Sequence, residues 1–68
     1  SSDLYNLGRN IFTRRKELGM SQNSLAEKLD ISREHLAKIE TAKRTVSLDL
    51  LIEIADALNT KVKDLIDF

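Results

Sequence analysis

Within SQNSLAEKLDISREHLAKIE, residues 21–40, two serines stand in the same role. Ser21 and Ser32 each precede a short helix-forming run, and a serine there accepts from the free backbone amides of the first turn. Only Asp30-Ile31-Ser32 separates the runs, so one helix must end and the next begin within three residues. That spacing predicts helices over Gln22–Leu29 and Arg33–Glu40, with Leu25, Ala26, Leu29, Leu36, Ala37 and Ile39 as their apolar residues. Small Ala26 lets the helices cross closely, and Ile31 is an apolar plug for the angle between them. An ordinary helical hairpin calls for longer helices; two short ones joined this tightly make a helix-turn-helix.

The flanks read as helix too. Asp3 is a cap for a first helix with apolar positions at Leu4, Leu7, Ile11 and Leu18, a stripe interrupted by Arg15, and Gly19 ends it in the left-handed conformation. Thr45-Val46-Ser47 leads into a fourth helix over 48–58, with Leu48, Leu51, Ile52, Ile54, Ala55 and Leu58 as a broad apolar stripe. Asn59-Thr60 breaks it, and residues 62–67 give one or two further turns. The expectation is an all-α, compact five-helix bundle in one domain, 1–68, with the helix-turn-helix at about 21–40 and core and dimer surface at about 47–68.

Composition agrees and excludes other classes. The 68 residues include no proline, two glycines, one histidine and no cysteine, so the core must be aliphatic, without disulfides or thiolate metal sites. A chain this short buries only about 60% of its unfolded surface, which leaves a thin stability margin. No apolar run reaches the ~20 residues of a membrane span and no signal pattern opens the chain, which points to the cytoplasm. The Ser-Ser start fits a removed initiator or an excised piece of a longer protein. His35 lacks a cysteine or serine–aspartate partner and there is no glycine-rich phosphate loop, so neither an enzyme, a cofactor, a metal nor a small-molecule ligand is expected.

The formal charge is zero, which argues mildly against a nucleic-acid partner, but the charge is unevenly spread. Residues 33–44 carry four basic and two acidic side chains, whereas residues 45–68 carry two basic and five acidic.

Taken together, Arg15 four residues before Gly19, Ser21-Gln22, Leu25-Ala26, Ile31-Ser32 and Ile39-Glu40 resemble the Cro/C1-type (XRE family) helix-turn-helix regulators, from about Leu7 to Leu65. The resemblance implies a lambda-repressor-like domain that binds operator DNA as a homodimer. It departs from the family at Asp30, where glycine is usual in the turn, and at Ala42, where glycine usually follows the Ile-Glu pair.

In such a motif the start of the second helix enters the major groove. That puts Arg33, Glu34, His35 and Lys38 at base edges: Arg33 for guanine O6 and N7, Glu34 for cytosine N4, and His35 for a base or a phosphate. The plain alternative is a solvated polar face, with Glu34 and Lys38 paired at i,i+4. Ser21, Gln22 and Asn23, at the amino end of the first helix of the motif, and Lys43 and Arg44, in the loop after the second, are phosphate candidates. The resemblance also has Gln22 brace the recognition helix, and joins Arg15 to Glu40 in a structural ion pair. On helix 1, Arg9 and Lys16 read as ordinary solvated charge.

Val62, Leu65, Ile66 and Phe68 are many apolar residues for so short a last helix. Some close the bundle; the functional reading is a symmetric dimer contact, which would set two recognition helices about 34 Å apart on a palindrome. The expected function is a sequence-specific transcriptional regulator of double-stranded DNA, read as a repressor, with activation from an adjacent site equally allowed. The rival is a protein-interaction or antitoxin-like adaptor with weak or unspecific DNA binding.

Overall fold

The computed structural model describes residues 2–68, with the side chain of Ser2 outside the description. Among the described residues there are five helices and no strand: α1 (Ser2–Glu17), α2 (Gln22–Leu29), α3 (Arg33–Glu40), α4 (Leu48–Ala57) and α5 (Val62–Leu65). Ser21, Ser32 and Ser47 cap α2, α3 and α4, each Oγ accepting from the amide three residues on, Ser24, His35 and Leu50, at 3.0–3.2 Å. Those local bonds set where each helix begins.

The helix ends share one device. Gly19, Asp30, Ala42 and Asn59 all have φ between 53° and 70°. After each of the first four helices the left-handed residue's amide reaches back three residues and the next amide reaches back five, as in Gly19→Lys16 and Met20→Arg15, or Ala42→Ile39 and Lys43→Lys38. This is the Schellman closure, and it satisfies carbonyls that helix ends leave free. Asp30 and Ala42 therefore adopt the conformation that glycine would adopt in their places, at a cost of about 1–2 kcal/mol for a side-chain-bearing residue.

The core is aliphatic, with Ile11, Leu25, Leu36, Ile39, Ile54 and Leu58 fully enclosed and Met20 and Ile31 packed against it from the two turns. Gly8 lies where α1 meets the end of α3: a Cβ there would stand 2.6 Å from the Glu40 carbonyl oxygen and 2.7 Å from that of Ile39. Arg14 crosses to the end of α4, donating from Nε to the Leu58 carbonyl at 3.0 Å and from Nη2 to that of Asn59 at 3.3 Å. Asn10 Nδ2 donates to the Leu65 carbonyl at 2.7 Å, which ties α5 to α1.

Several sequence expectations need correction. Asp3 lies inside the first turn of α1 and is not its cap. Leu18 falls past the end of α1 and is exposed. On α4, Leu48 and Ile52 turn outward at 68% and 44% exposure, because a helix packed on only one side cannot bury a stripe as broad as the sequence offers. Leu65 is 2% exposed and belongs to the core, so it is not available as a dimer-surface residue. Val62 is half-buried against the same core; Ile66 and Phe68 remain exposed.

Candidate nucleic-acid interface

Helix α3 has two different sides. Leu36, Ile39 and Glu40 are buried, and Arg33, Glu34 and Lys38 are exposed. At about 100° per residue, Glu34 and Lys38 stand near the middle of the exposed side, with Arg33 on one flank and His35 on the other. Arg33, Glu34, Ala37, Lys38, Thr41 and Lys43 line one shallow depression. His35 is half-buried and outside that group, as is Arg44, which is exposed in the loop.

Ala37 and Thr41 were not anticipated in this surface. The helical period held the signal, since Ala37 and Thr41 follow Arg33 and Glu34 at intervals of three to eight residues on the same side. A methyl at Ala37 is the kind of group that meets a thymine methyl, and it leaves room for a base edge to approach. The Thr41 hydroxyl donates to the Ala37 carbonyl at 2.8 Å, so it is committed to closing the helix.

The buried side is what fixes the aim of α3. Arg15 Nε donates to Glu40 Oε2 at 2.7 Å and Arg15 Nη2 to Glu40 Oε1 at 3.1 Å, a two-pronged pair with residue exposures of 5% and 7%. Arg15 Nη1 donates to the Met20 carbonyl at 2.8 Å, and the guanidinium carbon lies 5.2 Å from the centroid of Phe12. Glu40 is the last residue of α3, where the helix dipole disfavours a carboxylate. The Arg15 guanidinium offsets that and joins α1 to α3 in a planar geometry that lysine cannot reproduce.

Gln22, the first residue of α2, completes this cluster by donating from Nε2 to Glu40 Oε1 at 3.0 Å. Its side chain thus braces α3 against α2, and one amide hydrogen remains for another acceptor. Ser21 and Asn23 are exposed beside it at the amino end of α2, where unpaired amides and the helix dipole favour an anion. Among the described residues no buried side-chain nitrogen or oxygen lacks a partner.

Among the described residues Glu34 and Lys38 form no ion pair. On α1, Arg14 is taken up by α4 and by Glu17 at 3.6 Å, leaving it out of any cationic surface. Arg9 stands 5.8 Å from the Phe12 centroid, and Lys16 is exposed.

A tight pair of short helices, the second clamped on one side and presenting an open polar side, defines the helix-turn-helix class. The family model described as "Helix-turn-helix" (HTH_3) matches residues 11–65, and the chain belongs to that family. It is 45% identical over 49 residues to the control protein C.BamHI of Bacillus amyloliquefaciens, covering 72% of this chain and 60% of that protein. A transcriptional regulator of helix-turn-helix type from Archaeoglobus fulgidus is 37% identical, with 79% of this chain and 77% of that one covered. Among solved structures, the restriction-modification controller protein C.AhdI from Aeromonas hydrophila superposes with a TM-score of 0.91 at 29% identity, over 96% of this chain and 98% of that one. The chain spans 60%, 45% and 43% of the length of the first three curated relatives.

Proposed function

We propose that the chain is a sequence-specific DNA-binding transcriptional regulator that reads a palindromic operator through the major groove as a homodimer. It acts as a repressor, occupying a promoter and excluding polymerase, and works in the cytoplasm on the nucleoid. The observation that carries this reading is α3 itself. Its inner side is fixed to α1 by the buried Arg15–Glu40 pair, and its outer side offers Arg33 and Lys38 with Lys43 alongside. Arg33 and Lys38 suit guanine O6 and N7, and Ser21, Gln22, Asn23, Lys43 and Arg44 suit the flanking phosphates.

The exposed Leu48, Ile52, Ile66 and Phe68 support a two-fold contact between copies on the acidic end of the chain, away from the phosphates. Acidic Asp49, Asp56, Asp64 and Asp67 lie on the same elements and are exposed, which reconciles a neutral chain with an anionic partner. Likeness to a control protein and to a restriction-modification controller supports the regulatory role and makes restriction–modification promoters the first to test.

The experiment is selection of bound sites from random duplex DNA at several salt concentrations. The proposal expects a palindromic consensus with half-sites about one helical turn apart and an affinity that falls steeply with salt. No enrichment over random sequence would assign the chain to protein partners instead.

A further inference from the structure

Glu34 is an exposed carboxylate set among three cations, Arg33, Lys38 and Lys43, around the depression on α3. Lys38 follows it by four residues, the spacing and order at which a glutamate and a lysine pair best on a helix. Even so, no nitrogen–oxygen distance within 4.0 Å joins them among the described residues. Among the described residues the carboxylate has no ion-pair partner, and it stands exposed at the groove.

A carboxylate between walls of phosphate is repelled by any duplex, at distances within the screening length of about 8 Å. It recovers that cost only opposite an exocyclic amino group, cytosine N4 or adenine N6. Guanine O6 and N7 and thymine O4 present lone pairs there and add to the repulsion. Resting on the DNA-binding role proposed above, we infer that Glu34 sets specificity by exclusion. It weakens binding to every sequence that sets guanine or thymine, in place of cytosine or adenine, against the carboxylate at one position of each half-site, and so separates operator from random DNA. The three neighbouring cations supply attraction without regard to sequence; Glu34 makes part of that attraction conditional.

A second role open to Glu34 is local. It lies in the first turn of α3, where a negative charge suits the helix dipole. A side chain serving only that end would change the melting temperature when neutralised and leave the ratio of operator to random-DNA affinity alone.

The test compares the parent chain with Glu34→Gln, which keeps the shape and removes the charge. Both are put through site selection, and both are titrated with the parent's selected duplex and with random-sequence duplex. The expected result is a rise of about tenfold in affinity for random duplex and a smaller rise, or a fall, for the selected one. The operator-to-random ratio then drops by about five- to 150-fold, and the required cytosine or adenine in each half-site is relaxed. Equal gains on both duplexes with an unchanged consensus overturn the filter while leaving the DNA-binding role in place. A parent chain that selects no consensus overturns that role, and the filter with it.

Discussion

Around Gly8, Arg15 and Glu40, α1 lies against the end of α3 with no room for a methyl group, and both charges are bonded to each other and to further partners, the Met20 carbonyl and Gln22. Around α4 and the residues after Leu65, four large apolar side chains, Leu48, Ile52, Ile66 and Phe68, face solvent. The first region is complete within one chain; the second is apolar surface of the kind that association covers. The contrast shows where rigidity is needed. On the proposed role, a helix that meets base edges is aimed from behind, and a buried two-pronged ion pair does this with less freedom than aliphatic packing would. At the other end the proposed homodimer needs only that two copies meet in one register, for which exposed apolar side chains with acidic residues on the same stretch of chain suffice.

Three substitutions break or sharpen this comparison. The largest effect belongs to Arg15→Ala, which strands the Glu40 carboxylate inside the protein and costs about 3–5 kcal/mol, most of the stability of so small a domain. Urea or thermal unfolding measures it, and a variant that melts like the parent would mean that the pair contributes nothing. Next comes Gly8→Ala. In an open helix that change stabilises by about 1 kcal/mol, but here the new methyl meets two carbonyl oxygens, so destabilisation by about 1–3 kcal/mol is expected in the same unfolding measurement. Ile66→Glu stands at the other end of the scale. Monomer stability should move by less than about 0.5 kcal/mol, while sedimentation at micromolar concentration should show loss of the proposed dimer. A variant that still sediments as the parent does would remove Ile66 from the contact.

The region best read from sequence was the motif itself. Ser21, Ser32 and Ser47 act through bonds to amides three residues away, so the starts of α2, α3 and α4 were legible without any knowledge of the rest. Arg15 stands out as a charged residue that interrupts an apolar stripe, and the family resemblance joins it to Glu40. Where the outcome depended on which helix crosses which, the sequence was ambiguous. Leu48 and Leu65 are equally apolar, yet one is 68% exposed and the other 2%, because only Leu65 lies between α5 and the bundle. Nothing local to Arg14 signals that its guanidinium bonds the end of α4, forty-four residues on. Gly8 carries its own signal, since a glycine in the middle of a helical stripe usually marks a close approach. The polar side of α3 was legible as such; Ala37 lines the same depression and His35 lies on a flank outside it.

The most direct test of the central claim is to follow the backbone amide resonances of the isotopically labelled chain as a selected operator duplex is added. A recognition helix held from behind and read from in front predicts the largest shifts at residues 21–23, 33–38 and 43–44, with Arg15 and Glu40 retaining their mutual bonds. Shifts confined to α4 and α5, with α3 unmoved, would contradict it.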